Sequence, residues 1–174
     1  MKLTIRSALM GAALSLIAGA AFAQANSTAT GTGAAQIITP IAVTQTTGLD
    51  FGTIIKPASP SATVTAQIAA DSTGTASGAT WLASAAAPHS AVFHVTGQDG
   101  YAFSITTDPT LTLSDGANNL SVTLLTSDTS GTLGQLHSTT AGEANYYVGG
   151  TMAVSGSTVS GTYNGNFSTA VAYN

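Results

Sequence analysis

Residues 161–174 read Gly-Thr-Tyr-Asn-Gly-Asn-Phe-Ser-Thr-Ala-Val-Ala-Tyr-Asn. Tyr163, Phe167, Val171 and Tyr173 all fall on odd positions, the period of a β-strand that turns one face to a core. The pattern predicts a terminal strand along the whole stretch, with Asn164-Gly165 as a bulge or plain strand residues rather than a hairpin turn. Such a strand either closes a self-contained sandwich or forms an edge at which another chain docks.

The same period recurs upstream. Ile37, Ile41 and Val43 share one face of a predicted strand over residues 35–45, where Pro40 removes a ladder donor and so predicts an edge position or a bulge. Leu49, Phe51 and Ile55 predict a second strand, ended by Pro57 and Pro60, and Val64, Ala66 and Ile68 a third. Trp81 reads as a core residue near a strand end. Ala91, Phe93 and Val95, then Tyr101, Phe103 and Ile105, alternate on either side of Gly97-Gln98-Asp99-Gly100, which predicts a hairpin.

Further strands are expected at residues 111–113, closed by an Asp115-Gly116 turn, at 120–126 with Val122 and Leu124 inward, and at 146–154, bent at Gly149-Gly150. Residues 127–142 read as loop. No helical period of useful length follows Ala23. Many short strands between Gly, Asn, Asp and Ser turns predict an all-β, immunoglobulin-like antiparallel β-sandwich, with a closed barrel as the alternative.

The start of the chain carries a different message. Lys2 and Arg6 precede an apolar run and the small-residue ending Ala21-Phe22-Ala23, which together read as a secretory signal over residues 1–23. Residues 24–34 contain nothing large enough to anchor themselves and read as a flexible arm, and 35–174 as one domain. The apolar run is short for a bilayer span and no later segment is longer, so no transmembrane segment is expected in the mature chain. Removing 23 of 174 residues leaves about 151, enough for one domain to bury roughly two-thirds of its unfolded surface. There is no cysteine, so packing and backbone pairing have to supply the stability in an oxidising compartment.

Past the signal, Lys56 stands against Asp50, Asp71, Asp99, Asp108, Asp115, Asp128 and Glu143. That sign is wrong for nucleic acid and for anionic lipid, which need clustered Lys and Arg. Nor does a reaction centre emerge. His89, His94 and His137 lie apart without metal-ligand spacing, no Gly-x-Ser-x-Gly turn occurs, and the acids sit in turns where Asp bonds local backbone. No cofactor and no catalytic role are expected. Asp115, Asn118 and Asn119 offer oxygens that would suit calcium, although the Asp115-Gly116 turn accounts for them. In the pair Tyr146-Tyr147 one ring faces in and the other out, available to a sugar or a partner.

The order of these segments resembles a family of secreted bacterial proteins, domain of unknown function 4402. The resemblance rests on Ile38-Thr39-Pro40-Ile41-Ala42-Val43 before Leu49-Asp50-Phe51-Gly52-Thr53-Ile54, on Phe93-His94-Val95-Thr96-Gly97 before Tyr101-Ala102-Phe103-Ser104-Ile105, on Val148-Gly149-Gly150-Thr151-Met152, and on residues 161–167 running to Tyr173-Asn174. It implies no activity. A looser similarity, in the Leu-x-Phe-Gly segment and the penultimate tyrosine, is to subunits of chaperone-usher pili of the spore-coat-protein-U type. That similarity implies β-strand addition between copies, with a periplasmic chaperone and an usher as partners. Two departures stand out: the chain has no disulfide, and its arm is poor in large apolar residues.

The expectation is therefore an exported structural subunit, at the periplasm or cell surface, that self-associates by β-strand addition. Ile37, Ile41 and Val43 are the candidate donor residues, and Tyr163, Phe167, Val171 and Tyr173 the candidate acceptor strand. The alternative is a self-complete monomeric sandwich that binds a carbohydrate or a host surface, with Tyr147 or Trp81 as the aromatic contact.

Overall fold

The computed structural model describes residues 27–71, 76–83 and 87–174, and the side chains of all of these except Ala76 and Ser77. The expected signal over residues 1–23 lies outside them. The chain divides into two units, one ending at Gln36 and one from Ile37 to Asn174. Residues 27–36 of the first are exposed and form no strand.

The second unit is an all-β antiparallel sandwich, with no helix among the described residues. Numbering strands in chain order, one sheet contains β1 (Ala42–Thr47), β3 (Thr63–Ile68), β4 (Ala76–Ser77), β6 (Ala91–Thr96), β8 (Thr110–Ser114), β9 (Asn119–Thr126) and β11 (Glu143–Ser155). A smaller sheet runs β10 (Ser130–Thr132), β7 (Ala102–Thr107), β12 (Thr169–Tyr173), and β2 (Ile54–Ile55) pairs with β5 (Thr80–Trp81) as a separate ribbon.

The long strand β11 organises the larger sheet. Val148 pairs with both Ala91 of β6 and Thr126 of β9, while residues 150–152 pair with both β3 and β9. Hence β6 and then β3 follow one another along one edge of β11, and β9 lies along the other. The change of neighbour falls at the buried pair Gly149-Gly150, where the sequence predicted a bend. Alternation sends Ala144, Tyr146, Val148, Met152 and Val154 inward, and each such large side chain contributes roughly 1.5–3 kcal/mol when fully buried.

Four sequence expectations change against this frame. The segments around Gly97-Gln98-Asp99-Gly100 are strands where expected, but β6 and β7 do not pair with each other. They belong to different sheets, so the turn carries the chain across the core, and Phe93 and Val95 face Phe103 and Ile105 from opposite layers. Alternation reports which face of a strand is buried, and a chain crossing between layers produces the same signal as a hairpin.

The strand expected over 35–45 begins only at Ala42, after Pro40, and is an edge strand with a register shift between Gln45 and Thr47. The edge position expected from Pro40 is present, although Pro40 itself lies before the strand and the register shift falls further along it. The Leu49 to Ile55 strand shrinks to two residues: Gly52 has φ 64°, a left-handed geometry that breaks the alternation. As a result Ile54 turns inward with Phe51, and Ile55 is exposed. Finally, the terminal strand occupies only residues 169–173; residues 161–168 form no strand and carry a single isolated bridge, between Asn164 and Ser114. By contrast β3, the hairpin of β8 and β9, and the inward Val122 and Leu124 lie where expected.

Candidate functional site

The terminal strand is bound on one side only. It pairs with β7 in antiparallel register, Thr169 opposite Thr107 through Tyr173 opposite Phe103, and no strand lies on its other side among the described residues. The bonding phase is set at its two ends: the Asp108 N–H donates to the Ser168 carbonyl at 3.0 Å, and the Asn174 N–H to the Ala102 carbonyl at 3.2 Å. Because the bonds of an antiparallel ladder face alternate sides, the even residues of β12 bond β7. The backbone groups of Thr169, Val171 and Tyr173 consequently face the open edge.

Their side chains, meanwhile, face the core, which holds the edge rigid. The Thr169 hydroxyl meets the Tyr146 hydroxyl from the opposite sheet at 2.5 Å and that of Thr107 at 2.9 Å. Tyr146 stacks on its cross-strand neighbour Phe93 with ring centroids 5.0 Å apart, and Phe167 meets Phe93 edge to face at 5.8 Å. Burial pushes the Tyr146 phenol above its ordinary range, opposed by the Thr169 hydroxyl bond, so the bridge between sheets stays neutral.

Tyr173 is a clasp. Its hydroxyl donates to the Thr39 carbonyl at 2.7 Å and accepts the Gln98 N–H at 2.6 Å, while the Thr39 N–H reaches the Gln98 side-chain oxygen at 3.4 Å. The last aromatic of the chain thus ties the approach to β1 onto the turn between β6 and β7. Of the candidate donor residues, Ile37 is 94% exposed, whereas Ile41 and Val43 are half-buried and pack on the core, Val43 opposite Val95. The structure therefore joins Phe167, Val171 and Tyr173 in one packed row and incorporates Ile41 and Val43 into their own domain. Tyr163 stands apart from that row and donates its hydroxyl to the Val159 carbonyl at 2.9 Å.

A second feature escaped the sequence reading altogether. A cleft of about 1230 Å³ lies between residues 48–54 on one side and 158–167 on the other, over the apolar residues Leu111, Leu113 and Leu120. Its only sequence signals are the glycines at 52, 161 and 165, which interrupt otherwise alternating runs.

The remaining candidates resolve into structural roles. Asp115 points its oxygens at donors, the Ala117 and Asn118 N–H groups at 2.9 and 2.6 Å and the Asn118 amide at 2.9 Å. These bonds, the Asn118 amide first, hold its carboxyl below the usual range, and they make an Asx turn where the oxygens offered a calcium ligand set. No group of three or more His, Cys, Asp or Glu able to hold a metal occurs among the described residues. His94 pairs with Glu143 at 3.3 Å and His137 with Asp128 at 3.0 Å. Trp81 donates its indole N–H to the Phe51 carbonyl at 2.7 Å, and Tyr147 packs edge to face with His137 at 5.3 Å. Both rings are already engaged within the fold.

Comparison with known sequences adds one result. The family profile described as a domain of unknown function (DUF4402) matches residues 41–173. The chain belongs to that family. Neither curated proteins nor solved structures returned a match. The matched stretch of the DUF4402 domain begins at Ile41, beside the approach to β1, and ends on the clasp residue Tyr173. It contains every strand of the sandwich and omits the exposed Ile37.

Proposed function

We propose that this DUF4402 protein is an exported structural subunit, without a catalytic role, that self-associates by adding a β-strand of one copy to the open edge of β12 in another. The observation that carries the reading is that edge: three consecutive outward-facing backbone positions, Thr169, Val171 and Tyr173, on a strand whose side chains are anchored in the core. An exposed, rigid ladder edge is a template for pairing. The protein's Lys-poor composition leaves out the charged side chains with which soluble proteins blunt such edges.

The added strand supplements a sandwich whose own β1 is in place, so the edge is extended rather than a gap filled. A periplasmic chaperone and an usher are the partners that would shield the edge before assembly. The donor is the exposed stretch up to Ile37, since Ile41 and Val43 are held in their own domain.

Val171→Pro tests this directly. Its N–H faces the open edge, so proline removes an intermolecular donor without removing a bond to β7. The mature wild-type protein is expected to form concentration-dependent oligomers in sedimentation velocity, and Val171→Pro to remain monomeric while keeping its β-sheet circular dichroism and cooperative melting. A mature wild-type protein that stays monomeric across the concentration range sinks the reading, and so do oligomers that survive removal of residues 24–36. The truncation has to stop at Gln36, because removal through Val43 would take part of β1.

A further inference from the structure

We infer that the cleft between residues 48–54 and 158–167 is a binding site for a neutral oligosaccharide, a function independent of strand addition at β12. The argument rests on what lines it. Thr158, Ser160, Thr162, Asn164 and Asn166, every second residue along one wall, carry a hydroxyl or an amide. These are groups that donate and accept hydrogen bonds without net charge. Tyr163 stands in the same wall, and the floor is aliphatic. Sugars present both kinds of surface, hydroxyls at their edges and C–H groups on their ring faces, and an aliphatic floor with an aromatic in the wall suits the latter.

Charged ligands are disfavoured by the two charged residues that line the cleft. The Lys56 ammonium donates to the Thr158 carbonyl at 2.9 Å, and Asp50 accepts the Gly52 N–H at 2.7 Å. Both are engaged with the walls, and their charges are opposite. An extended polypeptide is disfavoured by the backbone of the walls. They pair only in short pieces, through the isolated bridges of Asp50 with His89 and Asn164 with Ser114 and the two-residue ribbon that starts at Ile54, where strand addition needs an unbroken ladder such as β12 provides. The volume exceeds the usual range for a drug-sized ligand, which fits a chain of several sugar units.

The test is titration of the mature protein with neutral oligosaccharides of differing linkage, such as maltohexaose, cellohexaose and chitohexaose, followed by amide shifts in NMR. Saturable shifts confined to residues lining the cleft are expected with at least one of them. Asn166→Ala, at an exposed position, should weaken that affinity about tenfold, the equivalent of one lost hydrogen bond at the upper end. Tyr163→Ala should weaken it as much, and Tyr163→Phe, which keeps the ring, should retain most of it. Unperturbed cleft amides at millimolar concentrations of all three sugars would overturn the inference. So would shifts confined to other surfaces, or saturation of the cleft by an extended peptide or a long-chain carboxylate in place of the sugars.

Discussion

The segment 158–168 and strand β12 are consecutive in the chain, and they are held by different means. β12 is laddered to β7 along all five of its residues and hooked across the core by Thr169 on Tyr146. The preceding segment has one isolated bridge, at Asn164, and is otherwise held at separate points: Tyr163 on the Val159 carbonyl, Lys56 on the Thr158 carbonyl, the Thr158 N–H on the Ser155 carbonyl, and Ser168 on Asp108 where β12 begins. A ladder leaves its residues few conformations and offers the other edge as a repeating template, whereas a segment tethered at separate points leaves room beside it. From this one contrast come a surface suited to another strand and a cleft suited to a small molecule.

Phe167 stands at the boundary, and the largest effect is expected there. Its ring is half-buried against Phe93 and seals the core just before β12 begins. Fully buried Phe→Ala changes cost roughly 3–5 kcal/mol; with part of the ring already in solvent, Phe167→Ala should cost about 2–3 kcal/mol and lower the melting temperature by several degrees. A change within error in thermal unfolding would mean that β12 is held by its ladder alone.

Gly165→Ala separates the two halves more sharply. A β-carbon at 165 would fall inside van der Waals contact of the Thr112 carbonyl, which cannot move without disturbing β8. The expected cost is about 1–3 kcal/mol, typical of overpacking, and it should fall on one side only. In hydrogen exchange the Ser114 and Asn164 amides, which bond each other's carbonyls at 2.8 and 2.9 Å, should lose protection while Ala170 and Ala172 keep theirs. Equal loss in both groups would show that the segment and β12 unfold as one unit.

The same boundary measures what was legible in the sequence. Alternation from Phe167 to Tyr173 identified the inward side chains of β12, as it did for Val122 and Leu124 in β9, because a strand with one buried face writes its period into the chain. Tyr163 continues the count, and there the count misleads: strand character also requires a neighbouring ladder, and at Gly165 the chain lies close against the Thr112 carbonyl and the Leu111 side chain. The β6 and β7 segments show a second limit, since alternation is silent on which sheet a strand joins. The cleft is the converse case. It arises where segments fail to pair, and such a failure leaves no period to read, only glycines at 52, 161 and 165.

The smallest effect concerns the tether next to Asn164. Asp115 follows Ser114, the bridge partner of Asn164, and its carboxylate accepts three bonds within the turn, so the folded chain holds its pKa below the unfolded value. The sign follows from linkage. The turn's stabilisation is fully present above the ordinary Asp value of about 3.9 and is lost as pH falls through the lower folded value, because protonation removes the acceptor charge. The Tyr163 phenol is raised by burial and next by the Asp115 charge, so the same carboxylate reaches the wall of the cleft. In an NMR titration the Ala117 and Asn118 amides should shift with a midpoint below that of an unperturbed Asp, and Asp115→Asn should abolish the transition. The amides of Ala170 and Ala172 should stay flat over the same range. A shared midpoint would couple the point-tethered segment to the laddered strand and remove the distinction between them.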